Sequence, residues 1–147
     1  MGIQARHMRN VSWAAIVRSV HERAHNCCEY CQTCRDTIGQ TMHVEHIDPN
    51  GGDDPENLCL ACPTCNLSKS RATSALDPIT GMIVPLFHPR RQQWQEHFRW
   101  IENARRVQGL TPTGRATVER LRMNQERLVV ARALWVKAHC HPPSFDA

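Results

Sequence analysis

The stretch "HVEHIDPNGGDDPENLCLACPTCNLSKS", from His43 to Ser70, decides the fold. The overlapping segment "TMHVEHI" alternates and contains β-branched residues, which indicates a short strand. The segment "DPNGGDDPE" has the Pro, Gly, Asn and Asp content of a loop, and "NLCLA" is consistent with a returning strand. Pro63 then opens a helix over "PTCNLSKSRA", because proline is favoured in a first helical turn. The order strand, loop, strand, helix predicts an α+β core.

The flanking segments predict further elements around this core. Upstream, Ser12 is a suitable N-cap for a helix over "SWAAIVRSVHERAH". Downstream, "ALDPITGMIVPLFHP" is expected to be an extended connector, and "WQEHFRWI" with "RRVQGL" a hairpin. Thr111 and Pro112 then begin one long helix over "TPTGRATVERLRMNQERLVVARALWVKA".

The chain of 147 residues is long enough for one domain with an appendage. We assign residues 1–10 to a flexible arm or expression remnant, 11–78 to the core, and 79–147 to a basic extension packed on it. No stretch approaches the ~20 apolar residues of a membrane helix, and no signal-peptide pattern is visible. The expected location is the cytoplasm, without a membrane partner.

Seven of the eight cysteines lie between Cys27 and Cys65, and clustering of this kind in a reducing compartment favours a metal site. The Cys-x-x-Cys frame is ambiguous, since the same spacing occurs twice in each half of the cluster. We choose the four residues that would let zinc fix the second helix against the first: Cys28, Cys31, Cys62 and Cys65. The three remaining members, Cys27, Cys34 and Cys59, are then expected to be packing or reserve thiols, and Cys140 a lone free thiol. A thioredoxin-like redox site is disfavoured because no parallel βαβ pattern surrounds either pair.

Four further residues exceed what a zinc scaffold needs. Glu45 and His46 are adjacent at the end of the first strand, Asn57 follows the loop, and Asn66 follows the last cysteine. Carboxylate and amide oxygens suit Mg²⁺, whereas zinc retains the thiolates. The sequence therefore offers two chemically separate metal environments.

The charges are divided unevenly along the chain. Residues 26–78 carry three basic and eight acidic residues, whereas residues 86–137 carry eleven basic and four acidic ones. A basic block beside an acidic, ligand-rich block suits a polyanionic substrate held near a cation. Many of these arginines could equally form a solvated helix face.

Several motifs, agreeing in order and spacing, resemble the HNH endonuclease family, in its subclass with a Cys-x-x-Cys zinc staple. They are Glu45-His46-Ile47-x-Pro49, Gly51-Gly52, Glu56-Asn57-Leu58 and Cys62-x-x-Cys65-Asn66-x-x-Lys69. The resemblance covers about residues 28–71 and implies a ββα-metal core. Together with the flanking elements, it predicts a zinc-stapled α+β fold with an N-terminal helix and a C-terminal hairpin and long helix.

The resemblance also implies roles for individual residues. His46 falls on the general base, Glu45 and Asn66 fall on ligands of a catalytic Mg²⁺ or Mn²⁺, and Asn57 falls on the residue that ties down the loop. Many relatives have Asp or His where Glu45 stands, so metal preference and reach differ here. Because neighbouring strand residues point to opposite faces, Glu45 and His46 can serve one phosphate only where the strand ends or bends.

The expected partner is double-stranded DNA, with phosphate contacts from six basic residues: Lys69, Arg71, Arg90, Arg91, Arg105 and Arg106. His43 is expected to be an exposed strand residue, and His88 and His97 are expected to be structural. The aromatic side chains Trp94, Phe98 and Trp100 are expected in the core rather than as base-stacking platforms.

The leading hypothesis is a metal-dependent DNA endonuclease that nicks or cuts both strands. A non-catalytic zinc module that binds nucleic acid is the alternative, and it leaves Glu45, His46, Asn57 and Asn66 unexplained. The long C-terminal helix could mediate a homodimer. Neither the target sequence nor the biological pathway follows from the sequence.

Overall fold

The central unit of the computed structural model, which describes residues 11–145, is a two-stranded sheet covered by a helix. Strand β1 (His43–His46) pairs antiparallel with β2 (Leu58–Ala61), with Glu45 opposite Cys59. One turn of 3₁₀ helix over Pro55–Asn57 leads into β2. The predicted order of strand, loop, strand and helix is confirmed.

Two helices flank this sheet and meet at the cysteines. Helix α1 (Trp13–Arg23) begins as predicted at Ser12, whose hydroxyl accepts a hydrogen bond from the Ala15 amide. After the short helix α2 (Arg35–Ile38) and the sheet, helix α3 (Pro63–Lys69) starts with Cys62 as its N-cap and packs on both strands. The predicted proline in the first turn is present.

The segment expected to be an extended connector instead forms a hairpin. Strand β3 (Ser74–Leu76) pairs with β4 (Ile83–Pro85). The Asp77 side chain closes the turn by accepting hydrogen bonds from the Ile79 amide at 3.2 Å and the Thr80 hydroxyl at 2.8 Å. Such aspartate-led turns stabilise tight reversals, so "DPITG" was a turn signal that the connector interpretation passed over.

A second hairpin forms where it was expected, although the first half of the segment "WQEHFRWI" is helical. Trp94–His97 form the helical turn α4, and only then do β5 (Phe98–Ile101) and β6 (Arg106–Gly109) pair. Phe98 is buried, and Trp94 and Trp100 pack partly buried against the core. Their expected structural role is confirmed.

The predicted long C-terminal helix is wrong, because the chain forms two helices there. Helix α5 (Pro112–Arg120) begins at the predicted cap Thr111, and α6 (Glu126–Lys137) follows a break. In the break, Arg122 has a φ of +53° and Met123 turns into the core. The Asn124 side chain bonds both the amide and the carbonyl of Val107, at 2.9 and 2.8 Å. Interrupting the helix thus fills the core and satisfies the edge of β6.

Candidate active site and zinc cluster

The four chosen cysteines come together in one buried cluster. The sulfur atoms of Cys28, Cys31, Cys62 and Cys65 all lie within 4.8 Å of one another. The Cys31 amide faces Cys28 Sγ at 3.5 Å, and the Cys65 amide faces Cys62 Sγ at 3.4 Å. Four buried thiolates supported by backbone amides fit the donor set that zinc prefers, so the cluster could hold a structural zinc ion.

The cysteines outside the cluster behave differently from one another. Cys27 and Cys34 were expected to be thiols, but they are joined in a disulfide across an isolated β-bridge. The bridge brings their Cα atoms within 3.8 Å, and the bond closes the loop that carries the first cysteine pair. Cys59 is a buried packing thiol as expected, and burial raises its pKa to about 12. Cys140 is an exposed free thiol, also as expected.

His46 lies at the last position of β1, where the strand ends and the loop begins. Glu45 and His46 both lie within β1, where neighbouring side chains point to opposite faces, and the strand ends directly after them. The His46 ring is partly exposed, and its Nε2 lies 2.7 Å from Asp53 Oδ1. Asp53 was not singled out in the sequence, because six residues separate it from His46.

The Asn57 side chain binds the loop together from within. Its Oδ1 accepts a hydrogen bond from the Asp48 amide, and its Nδ2 donates to the carbonyls of Asp48 and Gly52, each at 2.9 Å. Gly51 makes room for this amide, since a Cβ there would lie 2.7 Å from Asn57 Nδ2. The Asn57 side chain therefore braces the loop after His46 from within.

Glu45 is largely buried beside a lysine that is completely buried. Lys69 Nζ lies 3.4 Å from Glu45 Oε1 and 3.3 Å from the His46 carbonyl oxygen, and the Lys69 side chain is 1% exposed. Burial raises the pKa of Glu45, while the neighbouring lysine opposes that shift. Lys69 was expected at a phosphate, but its ammonium is enclosed and tethers the end of β1 to α3.

Asn66 is half-buried on α3, directly after a cysteine of the cluster. The cluster and Lys69 thus act on the same helix, one at its start and one at its end. Of the two carboxylate oxygens of Glu45, only Oε1 is hydrogen-bonded to Lys69 within residues 11–145. The second oxygen is left for a cation. A carboxylate and an amide oxygen are hard donors that fit Mg²⁺ or Mn²⁺.

The basic residues expected to contact DNA fall into two groups. Arg71, Arg91 and Arg105 are exposed. Arg90 is nearly buried and paired with Glu29, which corrects its assignment, and Arg106 is paired with Glu102 at 2.8 Å. Burial lowers the pKa of Arg90 to about 10.

Two of the exposed arginines border the site. Arg71 Nη2 lies 3.4 Å from Asn50 Oδ1 in the loop, and Arg91 lines a cleft of about 320 Å³ with Ile47 and Asp48. The cleft also carries His88, whose ring accepts the Arg90 amide at 3.2 Å. His43 is exposed on β1, as expected.

His97 also has the structural role expected of it. Its Nδ1 lies 2.6 Å from the hydroxyl of Thr111, the cap of α5. The contact joins the second hairpin to the start of that helix and leaves the ring away from the His46 loop.

Residues 28–72 match the family model described as HNH endonuclease. The match runs from the first cysteine of the cluster through β1, β2 and α3, and this part of the chain is an HNH endonuclease domain. Neither the curated proteins nor the solved structures include a match to the chain. The HNH domain implies nuclease activity on a nucleic acid. Across residues 11–145, none of the helices combines the length and the apolar character needed to cross a bilayer.

Proposed function

We propose that the protein is a metal-dependent endonuclease that hydrolyses DNA phosphodiester bonds, with His46 as the general base. The Asn57 brace is the observation that carries this proposal. Three hydrogen bonds from one side chain hold the loop that starts directly after His46. A scaffold needed only to surround zinc has no use for a fixed loop at this position.

In the proposed reaction a water oxygen forms a bond to phosphorus while its proton passes to the His46 imidazole. The bond from phosphorus to the 3′ oxygen breaks, and that oxygen takes a proton from solvent. A neutral imidazole can accept a proton near neutral pH. A bound Mg²⁺ or Mn²⁺ would supply charge stabilisation to the phosphoryl group and the leaving oxygen. Glu45 and Asn66 would hold that cation.

The surface charge supports a polyanionic substrate. Arg71 contacts the loop after His46 and Arg91 lines the adjoining cleft, and both are exposed, so they are the proposed phosphate contacts. Arg105 extends the basic surface at the β5–β6 turn. Phosphate contacts of this kind position a duplex without reading its sequence, which favours weak sequence specificity.

One observation favours the alternative function, a zinc module that binds nucleic acid without cutting it. The Lys69 ammonium already neutralises Glu45, so a divalent cation must share the carboxylate with it. In a purely binding protein this buried pair would need no cation at all.

Plasmid nicking with Mg²⁺ or Mn²⁺ tests the proposal. Wild type should convert supercoiled plasmid to nicked or linear DNA, and His46→Ala should lose about 100-fold or more, the usual contribution of a general base. His43→Ala removes an exposed histidine from the same strand and is the matched control. If wild type and His46→Ala are equally inactive with every metal tested while both still bind DNA, the protein is the binding module instead.

A further inference from the structure

The contact between His46 and Asp53 fixes which ring nitrogen carries the proton. An ionised carboxylate can only accept hydrogen bonds, so the short contact of 2.7 Å makes Nε2 the donor. The neutral ring then keeps its lone pair on Nδ1. Among the residues that the structure describes, no hydrogen-bond partner lies on Nδ1.

Asp53 is held between two anchored neighbours. On one side, the Gly52 carbonyl accepts a hydrogen bond from Asn57 Nδ2 at 2.9 Å. On the other, the Asp54 side chain accepts the Glu56 amide at 2.9 Å and caps the 3₁₀ turn. The backbone of Asp53 is therefore fixed although its side chain is exposed.

The other two aspartates of the loop are engaged locally. Asp48 Oδ1 accepts the Asn50 amide at 2.9 Å, and Asp54 caps the 3₁₀ turn. Asp53 makes no such local bond within the described chain and reaches back across the loop to the ring. Its contact with His46 is thus distinct from the turn-forming role of its neighbours.

Stability alone does not account for this contact. The side chains of His46 and Asp53 are 37% and 67% exposed, and ion pairs as open as this contribute little to folding. An exposed carboxylate beside a site that must accept a phosphate also repels the substrate. A role in orienting the ring explains why a carboxylate stands there despite that repulsion.

We propose that Asp53 is a positioning residue that holds the His46 ring through Nε2–H and leaves Nδ1 as the nitrogen that accepts the proton from water. The proposal rests on the proposed nuclease function and deepens it. Asn57 then acts on His46 indirectly. Its hydrogen bond fixes the Gly52 carbonyl, which holds the neighbouring Asp53 in place against the ring.

The test compares Asp53→Ala and Asp53→Glu with wild type in steady-state cleavage. Asp53→Ala should lower kcat by about 10- to 100-fold, the usual effect of removing a group that orients a functional histidine. KM should stay unchanged or fall, because a negative charge near the phosphate is removed. Asp53→Glu, which keeps a carboxylate on an unhindered side chain, should recover most of the loss. The control Asp36→Ala removes an exposed aspartate remote from the loop, paired with Arg35, and should leave kcat unchanged.

A second readout needs no cleavage. The His46 Nε2–H proton should give a signal in NMR spectra of wild type and Asp53→Glu, because its hydrogen bond slows exchange with water, and should be lost in Asp53→Ala. A wild-type kcat in Asp53→Ala, or the same Nε2–H signal, would overturn the proposal. A wild type that cleaves nothing refutes the nuclease function instead, and the NMR signal then decides the Asp53 contact by itself.

Discussion

Replacing Lys69 with Met tests whether the buried ammonium holds the end of β1 against α3. Methionine fills nearly the same space as the lysine stem, so the substitution removes the charge without opening a large cavity. What is lost is the contact of Nζ with Glu45 Oε1 and with the His46 carbonyl. Glu45, whose side chain is 11% exposed, is left as a carboxylate with little access to water.

The magnitude follows from the separation of the charges. At 3.4 Å and an effective dielectric constant of about 20, the attraction is about 5 kcal/mol. Releasing Lys69 from its desolvated site returns part of that energy, and removing one partner of a buried pair usually costs about 3–5 kcal/mol. Both contacts are long for charged hydrogen bonds, so we expect Lys69→Met to lower the free energy of unfolding by about 2–4 kcal/mol.

Urea denaturation of zinc-loaded protein measures this loss, with Lys137→Met as the matched control because Lys137 is exposed at the end of α6. A double-mutant cycle with Glu45→Gln isolates the pair, and its coupling energy should exceed about 1 kcal/mol. A loss below about 0.5 kcal/mol, the range of ordinary surface substitutions, would refute the tether. A double-mutant cycle in which the stability losses of Lys69→Met and Glu45→Gln simply add would refute it as well.

Three other perturbations test the parts around this tether. Cys65→Ala should abolish stoichiometric zinc and lower the melting temperature sharply, whereas Cys59→Ala should keep the zinc, as measured by metal analysis of the purified variants. Gly51→Ala should reduce plasmid cleavage about 10-fold or more with a small change in melting temperature, because its Cβ would lie 2.7 Å from the Asn57 amide and displace the loop brace. Asp77→Asn should destabilise the fold at neutral pH, since the arginine partner on α5 holds the pKa of Asp77 below its usual range. The stability that a lowered carboxyl pKa contributes is present above the ordinary value of about 4 and is lost as the pH falls below it, so thermal melts of variant and wild type should converge in acid.

The parts of the fold that follow local rules could be predicted from the sequence. Period-two alternation marked β1, the capping residues Ser12 and Thr111 marked the starts of α1 and α5, and Pro63 marked the start of α3. The preferred cysteine frame could be chosen because Cys65 stands at the start of the helix that zinc would fix against the N-terminal one. The strand and the helix starts depend on residues close together in the chain, whereas the cysteine frame was found because each half repeats the same local spacing.

The missed features depend on partners that are distant in the chain. The apolar periodicity continues through the break before α6, and what ends α5 is the entry of Met123 into a core formed by other elements. The hairpin β3–β4 is fixed to α5 by the pair of Asp77 with Arg115, 38 residues apart. Local composition encodes neither of these long-range contacts, although the turn residues of "DPITG" did signal the chain reversal itself. The Cys27–Cys34 disulfide was missed for another reason, since the expected reducing compartment argued against any disulfide.

The same limit applies to the charges, and it changes the interpretation of the basic block. A sequence counts cations, but only a structure shows which of them already have partners. Arg90 and Arg106 are paired with glutamates, and Lys69 is enclosed. The cations that stay exposed at the site are Arg71 and Arg91, one against the loop and one in the adjoining cleft. The sequence therefore overstated the size of the basic surface, because it counted cations that the fold pairs or buries.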